Sequence, residues 1–284
     1  MKPQTRWMSL VSACGAVLLL AGVTPAPAVA QEAHVGTLTG HAAAGKPLYT
    51  RYCAGCHGDD GDAQGENAMW IDPKPRDFTM ATFKCRSTPS GSLPTDQDLY
   101  NSVERGFVTT NMPPWVALTP QNRINLVAYI KTFSPRWRTA KPGTPITIPA
   151  EPTATIQSIL HGRQLYQRME CWKCHGPAGH GDGPSAHELT DNKDDPIRPY
   201  NFETGSRFMC GTANQDLYRI FMTGLDGSPM PSFADQLSPA EAWDLVHFLR
   251  TLQPLKTRES AIWHEWAATH AGELKPIGPE GGGQ

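Results

Sequence analysis

The segment GKPLYTRYCAGCHG (45–58) recurs as GRQLYQRMECWKCHG (162–176), and it does not recur alone. TDQDLY (95–100) returns as ANQDLY (213–218), and NMPPW (111–115) as SPMPSF (228–233). LTPQNRINLVAYIKTF (118–133) returns as LSPAEAWDLVHFLRTL (237–252). Four blocks in one order define a duplicated unit of about 100 residues, so the fold must be built twice. A chain of 284 residues has room for two domains of ordinary size. Between the copies, KPGTPITIPAEP (141–152) carries proline at 142, 145, 149 and 152 and reads as an extended, stiff linker.

Within each copy the pattern is helical. Gly45–Tyr52 and Ile156–Met169 lead into cysteine clusters, and Asp96–Arg105 and Asn214–Met222 form a middle helix. The last helix is announced by Ser238, Pro239 and Glu241 as N-cap, first-turn proline and capping-box partner. Thr119 and Pro120 do the same in copy one, without the acid. Leu126, Val127, Tyr129 and Ile130, and Leu245, Val246, Phe248 and Leu249, suit buried helix faces. Strand signals are nearly absent, so the predicted class is all-α: two tandem bundles of three or four helices. Charged residues are 18% of the chain, and glycine and proline number 26 each, a loop-rich composition. Runs such as GDDGDAQGEN (58–67) and GPAGHGDGPS (176–185) bury little, and small domains of this kind need a staple, metal or cofactor.

The N-terminus reads as a signal peptide over 1–30. Lys2 and Arg6 precede the apolar run CGAVLLLAGV (14–23), and Ala28 and Ala30 form a cleavage pattern. The mature chain is expected to begin near Gln31. VSAC (11–14) resembles a lipoprotein box, but the apolar run follows Cys14 instead of preceding it. No later stretch reaches about 18 apolar residues, so an exported, periplasmic chain without a transmembrane segment is expected. Losing Lys2 and Arg6 leaves 23 basic against 27 acidic residues, which gives no basic footprint for nucleic acid.

Four of the seven cysteines lie in CAGCH (53–57) and CWKCH (171–175). C-x-x-C-H is the attachment pattern of c-type haem. Residues i, i+3 and i+4 share a helix face, so two sulfurs meet the haem vinyl groups while the histidine reaches iron from the same side. A zinc site would need cysteines from separate domains to converge and would leave both histidines unexplained. A thioredoxin-like pair would need a βαβ setting. A disulfide within each C-x-x-C does not explain the repeated histidine.

Each unit resembles a class I cytochrome c domain, and the pair resembles di-haem cytochromes of the cytochrome c4 type, over about residues 42–133 and 156–252. The resemblance implies two covalently bound haem c groups. Cys53, Cys56, Cys171 and Cys174 would carry the thioethers, and His57 and His175 would be the proximal iron ligands. It further implies that the first and last helices of each unit cross, with Gly45 and Tyr49 meeting the Tyr129 helix and Gly162 and Tyr166 the Phe248 helix. The expected division is a signal peptide (1–30), an N-terminal segment (31–41), domain 1 (42–138), a linker (139–152), domain 2 (153–254) and a C-terminal extension (255–284). The longer loops, the linker and the extension depart from the compact family pattern.

Met112 and Met230 are the candidates for the far side of each iron. They occupy matching M-P-P-W and M-P-S-F runs, and 55 residues separate each from its C-x-x-C-H histidine. That equality arises because copy two has seven extra residues before Cys210 and seven fewer after it, so the local match is the stronger signal. The following proline fixes φ and biases the methionine toward extended backbone, which holds a weak thioether ligand on a loop. The competing reading is a buried methionine in a proline turn. Met69, Met80, Met169, Met209 and Met222 have no repeat partner and read as core or haem-wall filler. Bis-histidine ligation is the other alternative. His34, His41, His161, His180, His187, His247, His264 and His270 lack matched partners and read as surface or packing residues.

Cys85 and Cys210 occupy equivalent positions. They are compatible with an inter-domain disulfide, with free buried thiols, or with a thiolate iron ligand of the kind that resemblance to thiosulfate-oxidising di-haem cytochromes suggests. PRDF (75–78) matches PYNF (199–202), where the carbonyls of Pro75 and Pro199 are placed to accept from His57 and His175 unless the prolines only stiffen the loop. Arg76 and Arg86 are either partners of haem propionates or, the commoner case, solvated surface charges.

The expected function is one-electron transfer, which needs no acid, base or nucleophile. The partners would be redox proteins, a dehydrogenase or quinol oxidoreductase as donor and an oxidase or reductase as acceptor. The alternatives are a cytochrome subunit of a periplasmic oxidoreductase and a di-haem enzyme of the peroxidase or thiosulfate dehydrogenase type. ESAIWHEWAATHAGEL (259–274), with Ile262, Trp263 and Trp266, would dock a partner helix or pack back on its own domain.

Overall fold

The structure, a computed structural model, describes residues 32–205, 207–254 and 257–279; the leader expected at 1–30, with Cys14, lies outside the described residues. Two helical halves follow each other. In the first, α1 (Ala42–Tyr52) leads through Cys53 into the short α2 (Ala54–His57), and α3 (Asp96–Arg105) and α4 (Pro120–Ile130) follow, with a further turn, α5 (Arg136–Thr139). In the second, α6 (Ile156–Arg168), α7 (Trp172–His175), α8 (Asn214–Thr223) and α9 (Pro239–Thr251) repeat the order. A last helix, α10 (Arg258–His270), closes the chain.

The helix starts are set by local chemistry. The Thr95 hydroxyl accepts from Asp98 N while the Asp98 carboxylate accepts from Thr95 N, and Ser238 and Glu241 form the same reciprocal pair at α9. Thr119 caps α4 ahead of Pro120. The first and last helices of each half cross so closely that only glycine fits. A Cβ on Gly45 would fall 2.0 Å from Asn125 O, and one on Gly162 1.9 Å from Asp244 O. Around these crossings lie two buried clusters, one with Tyr49, Ile124, Leu126 and Val127, the other with Tyr166, Leu245, Val246 and Phe248.

The N-terminal segment differs from expectation. It forms an antiparallel hairpin, β1 (Glu32–Val35) with β2 (Leu38–His41), laid on α4. Gly36 takes φ +55° in a two-residue turn that matches strand twist, Ala33 and Gly40 point inward, and a Cβ on Gly40 would fall 2.2 Å from Ile124 O. Strands of four residues are too short to show a clear alternation, which is why the sequence reads as purely helical.

The linker is not free. Gly143 N donates to Leu93 O, Ile146 N to Ser87 O, and Glu151 accepts from Asn214 of α8. The C-terminal extension packs back on its own half: α10 lies against α6 and α9, with Trp263 6.5 Å from Phe248, and Gln167 makes two hydrogen bonds with Gly278. Among the described residues, no helix is long and apolar enough to cross a membrane.

Candidate metal centres

Each C-x-x-C-H run is one helical turn. His57 N donates to Cys53 O and His175 N to Cys171 O, both at 2.9 Å. Cys53, Cys56, Cys171 and Cys174 are free, half-buried thiols. Burial pushes the Cys53 and Cys171 thiols up to about 12. Behind each turn a buried tyrosine closes the loop: Tyr49 Oη donates to Gly58 O at 2.8 Å and Tyr166 Oη to Gly176 O at 2.7 Å.

Both imidazoles are aimed by a backbone carbonyl. His57 Nδ1 is 2.9 Å from Arg76 O, and His175 Nδ1 is 3.0 Å from Tyr200 O. A carbonyl only accepts, so Nδ1 carries the proton and Nε2 is left with its lone pair. Burial holds both rings below the ordinary histidine range, despite the carbonyl bond that works the other way. The acceptors are therefore not Pro75 and Pro199 but the residue after each. The proline sets the loop path, and the next carbonyl is the one turned inward. The same blocks supply a ring against each imidazole, Phe78 at 4.5 Å and Phe202 at 5.2 Å.

Met112 and Met230 sit half-buried in loops of the same construction. Phe107 N donates to Met112 O and Leu225 N to Met230 O, both at 3.0 Å. The Thr110 and Ser228 hydroxyls accept from Met112 N and Met230 N, and each hydroxyl donates to the carbonyl that opens the loop. Trp115 N reaches Val103 O and Phe233 N reaches Phe221 O, which ties each loop to the middle helix of its half.

The donor set fits a covalently attached haem. Each half presents two free thiols at i and i+3 and an imidazole at i+4 whose Nδ1 is committed and whose ring is neutral. Among the described residues, the buried Nε1 of Trp172, inside the second C-x-x-C-H run, has no hydrogen-bond partner, which leaves a donor free toward a bound group there. Among the described residues no three His, Cys, Asp or Glu side chains are gathered as a metal site.

Cys85 and Cys210 form a disulfide with a Cα–Cα distance of 5.1 Å, which removes the free-thiol and thiolate-ligand readings. Arg86 is neither a surface charge nor open to a propionate. It is buried, and its guanidinium is bound to Asp226 at 2.7 Å and to Thr223 O. Arg76 is also withdrawn from solvent: burial pushes its guanidinium below its ordinary range, against Asp191 and Asp77. It lines a cavity of about 170 Å³ with Lys74, Asp77, Asp191 and Lys193. Met69, 69% exposed, and Met80, 41% exposed, lie outside the two packed cores, whereas Met169 and Met222 pack on the second. His247 is buried with Nδ1 2.9 Å from Ser158 Oγ, and His161 pairs with Asp244 at 2.8 Å.

Two helical units, each built on a C-x-x-C-H turn with a carbonyl-oriented histidine, define a tandem c-type cytochrome. Residues 159–253 match the cytochrome c family, and residues 40–130 match the family of cytochrome c oxidase, cbb3-type, subunit III. A chain of the solved Kuenenia stuttgartiensis reducing HAO-like protein complex is similar at 43% identity and a TM-score of 0.72, over 74% of this chain and 96% of that one. No curated protein matches the chain. The chain belongs to the class I c-type cytochromes, as two cytochrome c domains in tandem. Such domains bind haem c covalently and serve electron transfer.

Proposed function

We propose that this is an exported di-haem cytochrome that passes single electrons between redox proteins, with one His/Met-ligated haem c in each half. Haem c supplies a one-electron iron centre; the chain attaches, orients and shields it. Cys53 and Cys56, and Cys171 and Cys174, form the thioethers. His57 and His175 ligate through Nε2, held by the Arg76 and Tyr200 carbonyls. Met112 and Met230 supply the sixth ligands. The observation that carries this reading is the repetition of one methionine loop, bond for bond, in both halves. His/Met ligation raises the reduction potential, which suits transfer toward a respiratory acceptor. Two methionine loops also speak against a peroxidase, in which one iron must stay open. The periplasm is supported by the leader at 1–30 and by the Cys85–Cys210 disulfide, a bond that persists in oxidising compartments.

The spectra of Met112→Ala and Met230→Ala test this. Each substitution is expected to remove one half of the sulfur-to-iron charge-transfer band of the oxidised protein. An unchanged band in either variant refutes that ligand, and peroxide turnover by the intact protein refutes the carrier. A second reading, a fixed subunit of an oxidoreductase, is favoured by the similar chain, which is part of a complex. Co-purification with a second polypeptide at fixed stoichiometry from the native host would support it.

A further inference from the structure

The loop that carries Met230 is held from the other half of the molecule, whereas the loop that carries Met112 is not. Asp226, four residues before Met230, pairs with Arg86 Nη2 at 2.7 Å, accepts from Ser90 Oγ at 3.0 Å and from Gly91 N at 2.9 Å. The Arg86 side chain is fully inaccessible, and 15% of the Asp226 side chain is exposed. The same Arg86 Nη2 donates to Thr223 O, the last carbonyl of α8, and Nη1 is anchored at Phe83 O. Its neighbour Cys85 is joined to Cys210, just ahead of α8. Residues 85–91 of the first half thus grip α8 at both ends, together with the loop that leaves it.

The duplication does not return this grip. The repeat partner of Cys85 is Cys210, so the partner of Arg86 is Gly211, which has no side chain to reach across. The partner of Asp226 is Val108, which is 59% exposed. Among the described residues, the hydrogen bonds of 107–112 stay inside that loop. The disulfide is symmetric between the halves, and the clamp beside it is one-sided.

We propose that Arg86 and Asp226 are positioning residues for the Met230 centre: the first half clamps the Met230 loop shut, so Met230 exchanges slowly for an outside ligand while Met112 exchanges readily. The thioether bond to iron is weak, so its exchange rate follows the free energy of opening the loop that carries it. In the Met112 loop, opening breaks only local hydrogen bonds. In the Met230 loop it must also separate a buried ion pair, and an uncompensated buried charge is far more costly than a broken surface contact. The clamp is therefore a kinetic lock on one of two otherwise matched centres.

This inference rests on Met112 and Met230 being the iron ligands. Imidazole binding to the oxidised, fully haem-loaded protein tests it. Two phases are expected, with the faster missing in Met112→Ala and the slower missing in Met230→Ala. Asp226→Asn, close to isosteric, is expected to speed the slower phase at least about tenfold and leave the faster unchanged. Arg86→Gln should act in the same way, and Arg86→Lys should restore part of the difference. A role confined to global stability would move both phases together. Equal acceleration of both phases, or none, overturns the clamp. Failure of the ligand assignment shows separately, as an intact charge-transfer band in Met112→Ala or Met230→Ala.

Discussion

The two halves agree wherever the chain must surround a haem and differ wherever it meets something else. Both cross their outer helices on a glycine, both close the C-x-x-C-H loop with a tyrosine hydroxyl, and both aim the histidine with a carbonyl. Both tie the end of the last helix to the start of the middle one, by Lys131–Asp96 at 2.7 Å and by Arg250–Asn214 at 2.5 Å. The coverings differ. A hairpin lies on α4 in the first half, and α10 lies on α6 and α9 in the second. The frame around the cofactor is under one constraint applied twice, while the outer faces are shaped by the rest of the chain.

The largest expected effect comes from uncoupling the halves. The Cys85–Cys210 bond closes a loop with a sequence separation of 125 residues, so the chain-entropy view assigns it about 5 kcal/mol. In Cys85→Ser/Cys210→Ser the halves should unfold in two resolved calorimetric transitions instead of one. A single transition at unchanged temperature would show that the non-covalent interface alone makes them one unit.

The helix crossing offers a test in which the halves should behave alike. Gly45→Ala and Gly162→Ala each push a methyl group into a backbone carbonyl of the facing helix. Each should cost about 1–3 kcal/mol through overpacking. Denaturant midpoints measure it, and a tolerated substitution on one side only would mean that the crossing is not the shared frame it is taken to be.

Much of this was legible in the sequence, for identifiable reasons. Helix starts depend on a few adjacent residues, so Thr119 and Ser238 announce them; the same pairing of Thr95 with Asp98 went unread. The i, i+3, i+4 spacing of C-x-x-C-H puts both thiols and the imidazole on one helical turn, which is the arrangement found. The carbonyl facing each histidine was displaced by one residue, because the loop path after Pro75 and Pro199 decides it. The hairpin was hidden by the shortness of its strands. The pairing of Arg86 with Asp226 was hidden for a deeper reason: the repeat is the strongest signal in the chain, and Gly211 and Val108 in the matching positions remove that pair from it.

A smaller paired effect lies behind the haem motifs. Tyr49→Phe and Tyr166→Phe each leave a buried carbonyl, Gly58 O or Gly176 O, without its phenol donor. A loss of about 1–1.5 kcal/mol in each is expected by denaturant titration. A clear inequality would show that one of the two turns is braced by something else.

The smallest effect separates the halves by pH. Glu241 is held down to about 2, first by the Ser238 backbone N–H and then by Arg168. An unfolded glutamate titrates near about 4.3, so the folded-state value is depressed. The stabilisation is therefore complete above about pH 4.3 and is lost as pH falls toward about 2. Because the carboxylate is partly solvated, its value is limited to that of a helix cap, about 1 kcal/mol or less. Glu241→Gln should flatten the acid limb of the second half's stability curve over that window and leave it unaltered at neutral pH apart from the cap loss. The first half carries Asn122 at the matching position, with Thr119 still accepting from its backbone N–H. Asn122→Glu should therefore confer on α4 the acid-sensitive increment that α9 already has. If Asn122→Glu instead destabilises the first half, the two last helices are not interchangeable at their N-termini, and the likeness of the halves stops short of their caps.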